Sequence, residues 1–373
     1  LPDDAPQRRE LEQRERDLLR WHRAEWLGEL AGIIDESVFR RGFLDQATLS
    51  AAAFALHAEA LTRQHPLRHA RLTEAGPFIH ELAVCPQLAR LRELDLLDSG
   101  LRNHDAAVLG SSPYLGKLLG LGLPGGELSA GGVAALLAGP TLVSLRRLDL
   151  SRNPVGDDGA RVLAYAPALA NVEELRLQGS PLFDYADLIR GGGMATPSQS
   201  AYPGRLQVLD LSENQIGDAG LIALATSPLL ARLRELNLAD NGIGDVGDAG
   251  IMGLVETAYL DRLETLKLSG NPLGAAGARA LAGWDGAASL RTLELARCRL
   301  RDAGAVALAR SPRLAGLRLL DLADNEIGDE GLQALAGSAH LRQLQLLVLR
   351  GNRLRSEHWT LLRERFARRV ELY

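Results

Sequence analysis

The chain alternates apolar and polar residues in short bursts that recur along most of its length. Segments such as "LRRLDLSRNPV" (145–155), "LQVLDLSENQI" (206–216), "LETLKLSGNPL" (263–273) and "LRLLDLADNEI" (317–327) share an L-x-L core. In that core two leucines fall on one face of a short strand and a polar residue on the other, the period-2 pattern of a half-buried strand. Five more copies begin at Leu91, Val172, Leu233, Leu290 and Leu344, and a degenerate one is carried by Leu118, Leu121, Leu123 and Gly126. The position aligned with Asn153 recurs at 99, 126, 180, 214, 241, 271, 298, 325 and 352, so seven of the nine intervals are 27 residues and the other two are 34 and 30.

The residues between strands predict a helix in each unit. Four positions after the Asn site stands Asn103, Asp157, Asp184, Asp218, Asp245, Asp302, Asp329 or Ser356, all types that accept a hydrogen bond from a free N–H at a helix start. A leucine ten positions after it, as at 109, 136, 224 and 308, would seal the helix onto the sheet, and prolines such as Pro113, Pro167 and Pro228 would stop it. The Asn amide can donate and accept at once, satisfying backbone groups where the chain turns; Ser99, Ser180 and Cys298 do so less completely. One strand and one helix cannot bury both faces alone, so stacking is required. The expected fold class is α/β: a solenoid, or horseshoe, with a parallel β-sheet on the concave face and helices on the convex face.

The consensus L-x-x-L-x-L-x-x-N-x-L resembles the leucine-rich repeat. The spacing N-x-I-G-D-x-G-L-x-A-L-A, at Asn214–Ala225 and Asn325–Ala336, is similar to the ribonuclease-inhibitor-like subclass, although a uniform 27 replaces that subclass's two longer alternating repeats. The N-terminal "LPDDAPQRRELEQRERDLLRWHRAEWLG", followed by "FRRGF", resembles bacterial leucine-rich-repeat proteins with an N-terminal repeat-companion domain. That resemblance implies a bacterial source, and the companion motif itself would lie upstream of Leu1. The absence of an initial Met leads to the expectation that a longer protein extends before this residue. The expected organisation is a helical N-terminal cap over 1–43, degenerate capping repeats over 44–90, ten repeats over 91–355 with an insertion near 191–202, and a C-terminal cap over 356–373. Leu11, Leu18 and Leu19 are expected to lay the first helix over the first repeats, and Trp359 and Phe366 to close the core at the other end.

Composition narrows the function. A net charge of −5 argues against nucleic acid, and no apolar run is long enough for a membrane span. Two distant cysteines, Cys85 and Cys298, write no disulfide framework, which fits a reducing cytoplasm. None of the eight histidines sits in a metal-binding pattern, and "GGG" at 191–193 lacks the Lys-Ser/Thr of a phosphate loop. No catalytic residue, metal or cofactor is predicted.

The informative positions are the polar ones of the strands. The middle of L-x-L holds Asp95, Gly122, Asp149, Arg176, Asp210, Asn237, Lys267, Glu294, Asp321 and Val348, half of them acidic, and two residues earlier stand Glu93, Glu174 and Glu235. Arginines 92, 146, 234, 291 and 318 are expected to form a rim beside them. The candidate partner-binding residues are therefore Glu93, Asp95, Asp149, Asp210, Glu235, Glu294 and Asp321, together with the aromatics Phe183, Tyr185 and Tyr202 of the lengthened repeat. The reading is a monomeric, non-enzymatic protein-interaction scaffold whose acidic face meets a basic protein partner. Two blander readings stand beside it: charges that only keep a long sheet soluble, and an insertion that is only a tolerated loop. Subclass resemblance alone suggests the alternative of an enzyme regulator, acting on a nuclease or a small GTPase.

Overall fold

The computed structural model describes residues 6–40, 42–155, 162, 166–180, 205–225, 228–244, 249–353 and 370–371. Its strands form one sheet whose spatial order is the order of the chain. They are β1 (Glu36–Arg40), β2 (Phe43–Ser50), β3 (His69–Thr73), β4 (Glu93–Leu97), β5 (Gly120–Gly122), β6 (Arg147–Asp149), β7 (Glu174–Arg176), β8 (Val208–Asp210), β9 (Glu235–Asn237), β10 (Thr265–Lys267), β11 (Thr292–Glu294), β12 (Leu319–Asp321), β13 (Leu346–Val348) and β14 (Val370–Glu371). All neighbours from β2 to β14 pair in parallel, and β1 alone runs antiparallel, against β2. The central leucine of each short strand, such as Leu236, Leu266 and Leu293, is fully buried against the helical layer, while the residues on either side are half-exposed.

An asparagine ladder ties each repeat to the one before. Asn241 donates from Nδ2 to the Leu211 carbonyl at 2.9 Å, and its Oδ1 accepts from the N–H groups of Asn214 and Ile216 at 3.0 and 3.2 Å. Asn271, Asn325 and Asn352 repeat the arrangement one unit further on. Where the next repeat lacks the asparagine, the spare N–H turns elsewhere. Ahead of Ser180 the Val155 N–H binds the Asn153 carbonyl, and ahead of Cys298 the Leu273 N–H binds the Asn271 carbonyl, both at 2.7 Å. Both turns are centred on proline, Pro154 and Pro272, whose fixed φ suits so tight a reversal. The thiol of Cys298 donates to the Leu268 carbonyl at 3.3 Å but supplies no comparable acceptor, and burial pushes its pKa up to about 12.

The residue just before the Asn site is left-handed in all ten repeats. Six of these are not glycine: Asp98, Arg152, Glu213, Asp240, Arg297 and Asp324, with φ between 41° and 60°. Such a conformation costs an L-residue about 1–2 kcal/mol; the ladder bonds on its C-terminal side hold it there.

Helix capping differs from the sequence expectation. Asp302 lies in the first turn of the helix Arg301–Ala309, yet its Oδ1 accepts from the N–H groups of Gly328 and Gly331, at the start of the next repeat's helix Asp329–Gly337. Asp218 does the same for Gly244 and Gly250, and Asn103 for Ser129. The acid therefore caps its successor. This explains the second glycine of G-D-x-G: a Cβ on Gly331 would sit 2.7 Å from the Asp302 carboxylate. Asp157, Asp184, Asp245 and Ser356 lie outside the described residues.

At the N-terminal end the first helix, Pro6–Leu27, is held mainly by its last turn. Leu27 is buried, Trp26 packs edge-on to Phe39, and Arg23 binds Ser37 Oγ and the Ile34 carbonyl. Leu18 and Trp21 are exposed, so this part of the helix does not seal the core. The sheet edge is closed instead by β1, whose antiparallel pairing satisfies the outer backbone groups of β2. At the other end β14 pairs with β13, and Val348, at a concave-face position, is buried there. Trp359 and Phe366 lie outside the described residues.

Candidate functional site

Parallel pairing brings the predicted concave positions into one continuous row. Asp95, Gly122, Asp149, Arg176, Asp210, Asn237, Lys267, Glu294 and Asp321 are successive register partners from β4 to β12. A second row on the same face runs through His69, Glu93, Gly120, Arg147, Glu174, Val208 and Glu235. β7 and β8 stay in register across the lengthened repeat, so the solenoid continues through it. Phe183, Tyr185 and Tyr202 lie outside the described residues.

The two halves of this face differ in charge. In the N-terminal half the acids are paired. Arg147 reaches from β6 across β5 to Asp95 Oδ1 at 2.8 Å and Glu93 Oε2 at 3.2 Å, and His69 Nε2 binds Asp95 Oδ2 at 2.8 Å. The bridge exists because β5 reads Gly-Leu-Gly. A Cβ on Gly120 would lie 3.1 Å from the Arg147 guanidinium, and one on Gly122 would lie 3.1 Å from Asp95 Cγ. Burial would raise the Asp95 pKa, but the hydrogen bond from His69 and the Arg147 charge overcome it and hold the carboxyl below its ordinary range. Arg176 pairs with Glu174 at 2.6 Å. The pattern of L-x-L positions alone did not show Arg147 and His69 as members of this group; their signal was their place in the earlier row, two residues before the middle position.

In the C-terminal half, from β8 to β12, the two rows present Asp210, Glu235, Glu294 and Asp321 against one cation, Lys267. Lys267 Nζ is bound to Glu235 at 2.8 Å, and although burial lowers its pKa, Glu235, Glu294 and Asp210 together raise it. Asp210 accepts from Asn237 Nδ2 and the Ser212 N–H, and Asp321 from the Ala323 N–H, so these carboxylates are oriented without being neutralised. Glu294 is raised above the usual carboxylate range, chiefly by burial; Lys267 pulls it back, and Asp321 and Glu235 push it up again. Because the folded state then binds the proton more tightly than the unfolded one, stability gained from this group rises as pH falls through its folded pKa. Glu294→Gln is expected to stabilise the protein at pH 7 by about 0.5 kcal/mol, on the scale of a surface charge interaction. Thermal unfolding at pH 7 and pH 4 checks this: the gain should shrink at the lower pH.

The five rim arginines differ in their partners. Arg146 pairs with Glu173 and Arg234 with Glu264, while Arg92 and Arg291 donate to the carbonyls of Lys117 and Gly316 in the following repeat. Among the described residues no group of three or more His, Cys, Asp or Glu is arranged to hold a metal ion. His65 is buried and its Nδ1 accepts from the Leu44 N–H, so it is turned away from His69.

The repeat length, the buried asparagine ladder and the in-register parallel sheet coincide with a family model. The model described as Leucine Rich repeat matches residues 141–164, 206–225, 232–252, 263–282, 286–309 and 317–336. This is a leucine-rich-repeat solenoid. Among solved structures, the leucine-rich-repeat chain is similar to one in the complex of Rad7 and Elc1 from yeast, at 18% identity over 96% of each chain with a TM-score of 0.48. It is also similar to an internalin, inlF, from Listeria monocytogenes, at 17% identity over 82% of this chain and 96% less fully over that one, 90%, with a TM-score of 0.45. No curated protein sequence matches. No helix among the described residues is long and apolar enough to cross a membrane.

Proposed function

We propose that this leucine-rich-repeat chain is a non-enzymatic protein-interaction scaffold that holds a basic protein segment against the C-terminal half of its concave face. The observation that carries this reading is the charge imbalance from β8 to β12, where Asp210, Glu235, Glu294 and Asp321 face one lysine. A field of this kind raises encounter rate and discriminates by charge more than it adds affinity. Glu93 and Asp95 take no direct part, because Arg147 and His69 already compensate them. Asp149 stands between the halves, bound only to the Ser151 N–H, and belongs to the margin of the surface.

The test is a partner recovered at low salt and then titrated against purified variants. Asp210→Asn combined with Asp321→Asn is expected to weaken its Kd about tenfold, equivalent to about 1.4 kcal/mol, and to flatten the dependence of log Kd on salt. An unchanged Kd and salt slope would remove this face from the account.

A further inference from the structure

The lip of the sheet carries a cluster of arginines that the concave-face reading does not use. Arg205, Arg232 and Arg262 occupy the same position in three consecutive repeats, immediately before Leu206, Leu233 and Leu263. With Glu173, Gln207 and Arg234 they line a cavity of about 360 Å³, within the size range of small-ligand sites.

Elsewhere this position has a structural task. Arg90, Ser144, Asn171 and Ser289 each donate a side-chain hydrogen bond to a carbonyl of the preceding repeat, at Thr62, Gly116, Val143 and Leu263. Arg205, Arg232 and Arg262 make no such bond and no ion pair among the described residues. The nearby acids are already engaged: Glu173 is held by Arg146 at 2.8 Å and Glu264 by Arg234 at 2.6 Å. Three guanidiniums are thus left uncompensated around one concavity, although neighbouring rungs of a parallel sheet lie only about 5 Å apart and like charges at that spacing repel.

We infer that this cavity binds a phosphate monoester, whose two negative charges and three acceptor oxygens match a cluster of planar guanidinium forks better than single carboxylates do. The donor of the phosphate is a phosphorylated side chain of a protein or a small phosphorylated molecule. The site is separate from the acidic concave residues and stands whether or not they bind a partner.

Calorimetric titration of the full chain at constant ionic strength distinguishes the possibilities, with inorganic phosphate, a phosphoserine peptide, and the same peptide carrying serine or glutamate. Saturable phosphate binding is expected, with the phosphoserine peptide at least tenfold tighter than the serine and glutamate forms if the source is a protein, and no tighter than phosphate if it is a small molecule. Arg232→Gln combined with Arg262→Gln should weaken binding at least tenfold with an unchanged melting temperature, both residues being exposed. Arg342→Gln, an exposed arginine on another repeat, should leave it unchanged. The inference is overturned if phosphate does not saturate, if the glutamate peptide binds as tightly as the phosphoserine one, or if the control weakens binding as much as the double substitution.

Discussion

Asn241→Ala is expected to destabilise the protein by about 4 kcal/mol, far more than the mass of the deleted amide would suggest. Asn241 is fully buried and bonded on both sides of its amide. Its loss strands the N–H groups of Asn214 and Ile216 and the carbonyls of Leu211 and Ala239 in the interior. An orphaned buried polar group costs about 1–3 kcal/mol, and partial relaxation keeps the total below the sum of four. Denaturant unfolding monitored by circular dichroism measures the loss, with exposed Glu213→Ala as a control expected within about 0.5 kcal/mol. Because stability in a stacked array is a sum of units and their interfaces, the defect should also lower the cooperativity of unfolding. A loss below 1 kcal/mol would mean that the ladder is not what couples adjacent repeats.

Gly122→Val should cost about 2–3 kcal/mol, the scale of an overpacked site, even though valine has the higher strand propensity. The new side chain would occupy the space through which the Asp95 carboxylate meets Arg147. A double-mutant cycle separates the causes: in an Asp95→Ala background the same substitution should cost at least 1 kcal/mol less. The pH dependence supplies a second readout. Asp95 has a depressed folded pKa, so its contribution is present above the unfolded value of about 3.9 and is lost as pH falls through the lower folded one. Gly122→Val should flatten that acid limb of the stability curve. Equal cost in both backgrounds would show that the glycine serves the backbone and not the ion pair.

Much of the candidate site was legible before any coordinates. Asp210, Glu294 and Asp321 were visible as an acidic row because a parallel sheet of equal repeats can only align equivalent positions. What the row did not reveal was compensation from two strands away. Arg147 neutralises Asp95 only because two glycines clear the strand between them, a relation 52 residues apart in sequence. The same limit applies to the lip: Arg205, Arg232 and Arg262 are aligned by counting, but their lack of a bonding role appears only when compared with Ser144, Asn171 and Ser289 in place.

By itself, then, the sequence determined the repeat length, the strand and its buried leucines, the asparagine sites and the parallel stacking, all properties of a local period repeated often enough to be read one unit at a time. Tertiary structure decided which acid caps which helix, since Asp302 serves the following repeat and not its own. It also decided that β1 closes the sheet edge, which carboxylates are already paired, and which arginines are free to meet an anion. Those relations depend on side chains reaching across neighbouring units, where distance in space and the room left by glycine, rather than spacing in the chain, select the partner.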